Sequence, residues 1–218
     1  MEATQLSELP CERMVTIVRI VSQYLISYME VLHAVTTNVA VREFSSEPVS
    51  TQHLTQILEA GRQCQSAKNI QPWYLILLRK RETLNKLAEL MTGDIDEQIM
   101  KRSPVAVAII ADPLHELYAF DCGRAAQNMT LTAWELGVGS CMISGPEPPD
   151  RESYRVKAGQ LLGVPNNLRF LELVVFGYPK VKRLVRTKDR KRFEDIVFEE
   201  RFRNSITQQN YGHLQLCI

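Results

Sequence analysis

The sequence lacks the features that mark several large classes of protein. Its four histidines are far apart, and no C-x-x-C pair occurs among its five cysteines, so the ligand spacing of a metal site is absent. The formal net charge is only +1 over 218 residues, which argues against an extended nucleic-acid or membrane-surface footprint. The longest uncharged run near the amino terminus, Ile20–Met29, is far too short to span a bilayer. We therefore expect no metal, no nucleic-acid partner and no membrane association.

Three common catalytic or nucleotide-binding motifs are also missing. The chain has no P-loop, and Met142 stands where a G-x-S-x-G motif around Ser144 would require glycine. The run Gly137-Val138-Gly139-Ser140 begins like a dinucleotide-binding fingerprint. However, its third glycine is absent, and a helical pattern precedes it where the fingerprint requires a strand.

The composition is that of an ordinary soluble globular protein. Hydrophobic residues make up 45% and charged residues 23% of the chain, enough for a sizeable core in one domain. The cysteines are scattered and odd in number, which favours reduced thiols in a cytoplasmic protein.

Helical and strand patterns alternate along the chain. Apolar runs predict strands at Trp73–Leu78, Val105–Ala111, Val138–Ile143 and Leu168–Phe176. Between them, apolar residues at helical spacing predict helices, and the interleaving indicates a central sheet covered by helices. The predicted helices are 30–37, one that Ser50 caps, Arg81–Met91, Leu117–Leu136, Arg151–Leu162 and Glu194–Gln209.

One polar stretch, Cys64–Trp73, leads directly into the first predicted strand. Ser66, Asn69 and Gln71 offer donors and acceptors close to the backbone, and Pro72 withdraws one N–H group. On these residues alone the stretch is either an ordinary turn or a ligand-binding loop.

The same stretch resembles the (A/C)-P-S-x-x-N-x-Q-P-W signature of the nitroreductase family of flavoproteins, with Gln65 in place of the proline. Further elements of the family follow in the right order and cover roughly residues 29–200. They are Val41-Arg42-Glu43-Phe44 with Glu47-Pro48-Val49, Leu136-Gly137-Val138-Gly139-Ser140-Cys141, Phe176-Gly177-Tyr178-Pro179 and Lys188-Asp189-Arg190.

The resemblance implies an α+β sandwich, with a central mixed sheet covered by helices, that forms an intertwined homodimer with FMN at the interface. It implies an enzyme in which NADH or NADPH passes a hydride to flavin N5 and a small-molecule acceptor then takes the electrons, in a ping-pong cycle. Nitroaromatics, quinones or similar conjugated compounds are the expected acceptors. Because the flavin carries the chemistry, no catalytic side chain is expected.

Carried over residue by residue, the resemblance places the flavin among four groups of residues. Ser66, Ala67, Asn69 and Gln71 would contact the ring edge, the ribityl chain or the pyrimidine side. Met142, Ile143, Ser144 and Gly145 would form a wall, with a backbone N–H near Ser144 or Gly145 facing N5. Asn38, Val39, Ala40 and Arg42 would surround the phosphate, together with Lys188 and Arg190 from the carboxy-terminal part.

The largest departure from the family lies in the phosphate-binding segment. Family members usually have R-R-S or R-H-S where this chain has Asn38-Val39-Ala40, which leaves Arg42 as the cation of this segment. A hydrogen bond to a charged group contributes roughly 1.5–3 kcal/mol, so two uncompensated losses would weaken binding on the order of 100-fold or more. Lys188 and Arg190 are the expected compensation, with Lys191 and Arg192 in reserve.

Two alternatives to this enzyme remain open from the sequence. One is a flavin- or ligand-binding protein of the same fold without turnover, which Asn38-Val39-Ala40 and Gln65 favour. The other is a specialised flavin dehydrogenase or dehalogenase. The cation near flavin N1 is not identified, although Lys101 and Arg102 are candidates. Cys141 is expected to be a packed core thiol.

Residues 1–28 precede the region of resemblance, so the expected organisation is an extension over 1–28 and a single FMN-binding domain over 29–218. Within the extension, Met14, Ile17, Val18, Val21 and Leu25 form an apolar stripe at helical spacing. The pattern predicts a helix from about residue 13. Its acidic beginning, with Glu2, Glu8 and Glu12, is unlike a signal peptide.

Overall fold

A computed structural model of the chain describes residues 31–91, 95–145, 150–181 and 188–205. The predicted extension, residues 1–28, lies outside this described part. The chain divides into two compact units, Met1–Leu184 and Val185–Ile218. In the described parts of both units, no helix has the length and apolar character needed to cross a bilayer.

The first unit is built on a four-stranded sheet. Its strands are β1 (Trp73–Leu78), β2 (Val105–Ala111), β3 (Gly139–Ile143) and β4 (Arg169–Gly177). They lie in the order β1-β2-β4-β3 and pair antiparallel throughout. Strand β2 is buried at every residue, as a continuous run of apolar side chains covered on both faces requires.

Seven helices surround or follow the sheet within the described residues. Helix α2 begins after Ser50, whose hydroxyl accepts the His53 N–H at 3.1 Å, which confirms the predicted cap. The helices are α1 (31–37), α2 (Thr51–Arg62), α3 (Arg81–Glu89), α4 (Ile95–Arg102), α5 (Tyr118–Glu135), α6 (Asp150–Leu161) and α7 (Phe193–Ile196).

Two hydrophobic clusters cover the two faces of the sheet. Helices α3, α4 and α6 contribute to one cluster, and helices α2 and α5 contribute to the other. This arrangement confirms the predicted α+β sandwich of helices around a central sheet. Among the described residues, one parallel pairing joins this sheet, an isolated bridge between Ala40 and Ser140.

Helix α5 packs closely on its neighbours because its buried face carries small residues. Ala125, Ala126 and Ala133 are fully buried there, and α2 approaches at Gly61, where a Cβ would lie 2.9 Å from Cγ of Met129. The helix ends at Gly137, whose φ of +72° is the left-handed conformation expected of a C-terminal glycine.

The second unit differs from the sequence prediction. The helix expected over 194–209 is only Phe193–Ile196 in the described residues. Beyond it the chain turns back, and Phe198 forms an isolated antiparallel bridge with Ser205. The rings of Phe198 and Phe202 then pack edge to face, with centroids 5.0 Å apart.

Candidate functional site

The segment 38–44 lies along the start of β3 and the end of β4. The N–H of Val41 donates to the carbonyl of Ser140 at 2.8 Å, and Phe44 bridges to Pro179. Two glycines permit this close approach. A Cβ on Gly139 would lie 2.6 Å from Val41, and one on Gly177 would lie 2.7 Å from Phe44. The motif glycines and the V-R-x-F motif are therefore packed against each other.

This packing leaves a surface groove, here called the strap groove, with a volume of about 270 Å³. It brings together five of the residues that the sequence assigned to one ligand. Four further residues, from α5 and β3, complete it. Its lining is Asn38, Val39, Ala40, Arg42, Gln127, Thr130, Ser140, Cys141 and Met142.

The strap groove combines a cation, polar groups and an apolar surface. Arg42 is exposed, and Asn38, Gln127 and Ser140 add amide and hydroxyl groups. Met142 is 39% exposed, although Cys141 and Ile143 on either side of it are buried. Such a lining suits a ligand that has an anionic end and a flat apolar portion.

The residues after Met142 are placed differently. Ile143 is fully buried in the core, so its side chain is directed away from any surface ligand and only its backbone is available. Ser144 is exposed and Gly145 is buried. Gly145 has a φ of +76°, and a Cβ there would overlap the ring of Tyr154. The chain therefore turns at Gly145 against a packed aromatic side chain.

Cys141 agrees with the expectation of a packed thiol. Its side chain is 6% exposed within a hydrophobic cluster. Burial raises the pKa of the thiol above its ordinary value, and the nearby Arg42 guanidinium only partly opposes this effect. A thiol with a raised pKa is a poor nucleophile at neutral pH.

The stretch Cys64–Trp73 forms a strained loop, here called the motif loop. Lys68, Asn69 and Gln71 all have positive φ values, of 51°, 56° and 53°. Only asparagine among these residue types visits that region readily. The Ser66 hydroxyl accepts the N–H of Gln71 at 2.9 Å, and the Ser66 carbonyl accepts the N–H of Asn69 at 3.1 Å. These bonds close the turn on itself.

The backbone of Ala67, near the start of this turn, is also hydrogen-bonded to helix α5. The N–H of Ala67 donates to Oδ2 of Asp121 at 3.1 Å, and Oδ1 of Asp121 accepts from Arg124 at 2.8 Å. Asp121 is completely buried. The sequence analysis did not identify Asp121 or Arg124. The one sequence feature that could have indicated them is an acidic residue followed three positions later by arginine. These two residues lie on a helix whose other buried residues are mostly small or apolar.

The motif loop and the strap groove lie at opposite corners of the sheet. The loop enters β1 at Trp73, and β1 is one edge strand. The groove adjoins Ser140 at the start of β3, the other edge strand, and the register places Ser140 level with the far end of β1 near Leu78. With strands about 4.8 Å apart and a rise of about 3.4 Å per residue, three strand spacings and six residues along the strands place Trp73 and Ser140 roughly 25 Å apart. Accordingly, Gln71 lines a different surface cavity, with Trp73 and α2.

With this geometry in place, comparison with known proteins identifies the family. The model of the Nitroreductase family matches residues 39–103 and 93–178. A relative from Archaeoglobus fulgidus, whose name pairs NADH dehydrogenase with NAD(P)H nitroreductase, is 33% identical over 156 residues, which are 69% of this chain and 86% of that protein. The chain belongs to the nitroreductase family.

Other relatives and solved structures agree with this assignment. The FMN reductase [NAD(P)H] of Bacillus subtilis is 26% identical over 172 residues, 69% of this chain and 66% of that protein. Nitroreductase A from Vibrio parahaemolyticus superimposes with a TM-score of 0.69 at 21% identity, covering 79% of this chain and 76% of that one. An FMN-dependent nitroreductase from Clostridium difficile gives a TM-score of 0.66 at 24% identity, covering 78% and 99%. These two structures share the nitroreductase fold.

The carboxy-terminal cations of this nitroreductase family member lie in the second unit. Arg190 is exposed and donates to the Asp189 carbonyl at 2.8 Å. Burial, and then the neighbouring Arg190, lower the pKa of Lys188. Arg192, expected as a reserve cation, forms an ion pair with Asp195 at 2.9 Å. Lys101, in the first unit, forms an ion pair with Glu97 at 2.6 Å.

Gln127, Thr130 and Ser140 are groove residues that sequence reasoning missed. Thr130 and Ser140 are each only 4% exposed, and the Thr130 hydroxyl donates to the Gln127 carbonyl at 2.9 Å. Gln127 and Thr130 are three residues apart on α5, a spacing that places polar groups on the same side of a helix. That spacing is the sequence feature from which these two residues could have been predicted to lie together.

Proposed function

We propose that this nitroreductase family member is an NAD(P)H-dependent flavin oxidoreductase that binds FMN and reduces a nitroaromatic, a quinone or a similar conjugated acceptor. The observation that carries the proposal is the strap groove. It places Arg42, the amide of Asn38 and the exposed side chain of Met142 around one cavity. These are the cation, hydrogen-bond donor and apolar wall that a flavin phosphate and ring need.

Each part of the chain has a separate role in holding the cofactor. Arg42 and Asn38 contribute charge and a donor for the phosphate, and Lys188 and Arg190 add charge from the second unit. Met142 supplies apolar surface for the ring, and the backbone of Ser144 and Gly145 supplies N–H groups. The motif loop presents Ser66, Asn69 and Gln71 to the ring edge and ribityl hydroxyls. These residues would hold FMN, which would supply hydride acceptance from NAD(P)H and electron delivery to the acceptor, the two halves of a ping-pong sequence.

The working unit in this proposal is a homodimer with the cofactor at the subunit interface. The strap groove and the motif loop are roughly 25 Å apart in one protomer, so a single chain does not close both around one ligand. A two-fold axis can bring the loop of one copy to the groove of the other, and it generates two equivalent sites. Exposed Leu117 and Phe120, at the start of α5, provide apolar surface near the loop for such an association or for the acceptor.

The test is spectroscopic. The purified protein, incubated with FMN and desalted, should retain flavin absorbance, and the absorbance should bleach when NADH or NADPH is added without oxygen. Reduced protein should then recover its colour on addition of a quinone or nitroaromatic compound. A protein that remains colourless after incubation with FMN would refute the proposal.

A second candidate function is a flavin-binding protein without turnover. The replacement of the family's arginine-rich segment by Asn38-Val39-Ala40 favours it, because fewer cations surround the phosphate. The same experiment separates the two functions, since colour that does not bleach with either nicotinamide would support binding alone. Screening acceptors against anaerobically reduced protein would also identify a specialised dehydrogenase or dehalogenase, which would transfer electrons only to its own substrate class.

A further inference from the structure

We infer that Asp121 is a positioning residue, which holds the motif loop in its ligand-ready conformation from the buried side of helix α5. The inference rests on the proposed function for its ligand, because the loop is taken to contact FMN. It goes beyond that function by assigning a role to a fully buried residue that lies behind the loop.

The first observation is the contact itself. Asp121 has no exposed surface, yet one of its oxygens accepts the backbone N–H of Ala67, 54 residues away in sequence. Buried carboxylates are costly unless they are paired and hydrogen-bonded. Arg124, one turn further along α5, supplies the counter-charge at 2.8 Å. Each oxygen of the carboxylate therefore has a hydrogen-bond donor: Oδ2 accepts from the loop N–H, and Oδ1 accepts from the guanidinium.

The second observation is the strain immediately after Ala67. Three non-glycine residues of the loop, Lys68, Asn69 and Gln71, have left-handed backbone conformations. Such conformations are unfavourable for lysine and glutamine and persist only where the surroundings enforce them. The Ser66 hydroxyl and carbonyl close the turn from within. The bond to Asp121 fixes the beginning of that turn to the rigid body of the protein.

The consequence concerns the affinity for the ligand. A loop that already has its bound conformation loses less conformational entropy when the ligand binds. Without the Asp121 bond, the strained residues would relax, and the Asn69 and Gln71 side chains would occupy the ligand-binding orientation only part of the time. The apparent affinity then equals the intrinsic affinity multiplied by the fraction of time spent in that orientation.

Loop order can be tested in flavin-free protein by hydrogen–deuterium exchange of the peptide that covers residues 64–72. Asp121→Ala should speed exchange in this peptide about tenfold or more. Ile110→Val, which trims a fully buried side chain in β2, is the control for general destabilisation and should leave the peptide unchanged. Unchanged exchange in Asp121→Ala would overturn the anchoring role.

A second variant separates the hydrogen bond from the charge. The double variant Asp121→Asn with Arg124→Gln keeps an acceptor oxygen for Ala67 and replaces the ion pair by two neutral amides. It should restore slow exchange, and it also provides a folded comparison if Asp121→Ala is unstable. Failure of the double variant to slow exchange relative to Asp121→Ala, or relative to Asp121→Leu, would contradict the assignment of the Ala67 bond as the anchor.

The same variants, titrated with FMN by fluorescence, test the positioning role. Asp121→Ala should weaken FMN binding about tenfold or more, and the double variant should recover to within about threefold of the parent protein. Faster loop exchange with unchanged FMN affinity would show that Asp121 is only structural and would overturn the inference. Loss of FMN binding in the parent protein itself would refute the proposed function instead, and the exchange experiment would still decide whether Asp121 anchors the loop.

Discussion

Val41 and Gly139 pack so closely that a Cβ on Gly139 would lie 2.6 Å from Cγ2 of Val41. Val41 is itself 2% exposed, and its N–H is bonded to Ser140, so it cannot move aside without losing core packing. The segment that carries Arg42 is thereby fixed against β3. The backbone of Gly139 is not left-handed, so its conformation does not call for glycine. Glycine is required here because Val41 leaves no space for a Cβ.

Gly139→Ala should therefore destabilise the protein and disturb the strap groove. Overpacking of this kind costs about 1–3 kcal/mol, which chemical denaturation would measure as a lower midpoint. The matched control is Gly123→Ala, because Gly123 is an exposed position of α5 with nothing within 4 Å of an added Cβ. That substitution should stabilise the helix by about 0.5–1 kcal/mol. Equal effects of the two substitutions would contradict the packing argument.

The elements of the fold were predictable where apolar runs have clear ends. Strands β1 and β2 have the bounds that the sequence indicated, because both are uninterrupted apolar segments between charged residues or prolines. Helix α5 differs by one residue at each end. The local pattern of apolar residues in each segment was enough to predict these elements, without information about contacts between distant parts of the chain.

The second unit shows where such reasoning fails. Phe198 and Phe202 are four residues apart, a spacing that predicts a helix. In the structure the two rings pack together across a turn that the Phe198–Ser205 bridge closes. Two aromatic residues four positions apart can therefore pack against each other in a turn, without the hydrogen bonds of a helix.

The candidate site was only partly predictable for a similar reason. Ordered motifs identified Asn38, Arg42 and Met142, which the structure places around one groove. The support of the motif loop by Asp121 depends on a contact across 54 residues, which no periodicity reveals. The positive φ of Lys68 is equally invisible in sequence, because lysine has no preference for that conformation.

Burial of Cys122 predicts a loss of stability at alkaline pH. The thiol lies on α5 and is 1% exposed, and burial, followed by the charge of Asp121, raises its pKa from 9.0 to about 12. The folded protein thus retains the proton where the unfolded chain releases it. The stabilisation is complete below about pH 9 and falls between about pH 9 and 12, by up to about 1.4 kcal/mol per pH unit.

Denaturation of wild type and Cys122→Ala at pH 8 to 11 would measure this effect. The variant should be less stable at pH 8 because a buried side chain is trimmed, but its stability should fall less steeply above pH 9. Since all other alkaline groups are shared, the difference between the two curves isolates Cys122. Parallel curves for the two proteins would show that this thiol does not contribute to the pH dependence.

The cations assigned to the FMN phosphate can be tested one group at a time. Arg42→Ala should weaken FMN binding about 10- to 100-fold, as expected for the loss of a hydrogen bond to a charged group. Lys188→Ala together with Arg190→Ala should have a comparable effect if both parts of the chain reach the phosphate. Lys86→Ala, which removes an exposed cation paired with Glu82 on α3, is the control and should leave the FMN dissociation constant unchanged. Wild-type affinity in either test variant would remove that group from the site.

Mixed dimers would decide whether the strap groove and the motif loop of one site come from different protomers. Arg42→Ala disables the groove and Asn69→Ala disables the loop, so each homodimer should bind FMN weakly. When the two chains are co-expressed, a heterodimer with trans sites has one doubly altered site and one intact site. Random pairing makes half of the dimers heterodimers, so about a quarter of all sites should regain tight binding.

If each protomer instead forms its own complete site, every site in the mixture carries one substitution and no tight binding returns. Anaerobic titration of tagged, purified heterodimers with FMN distinguishes the two arrangements by counting tight sites. Co-expression of a Glu82→Ala chain with the wild-type chain provides the control for tagging and pairing, since Glu82 is an exposed residue of α3. The separation of roughly 25 Å between Trp73 and Ser140 in one chain is the reason to expect the trans arrangement.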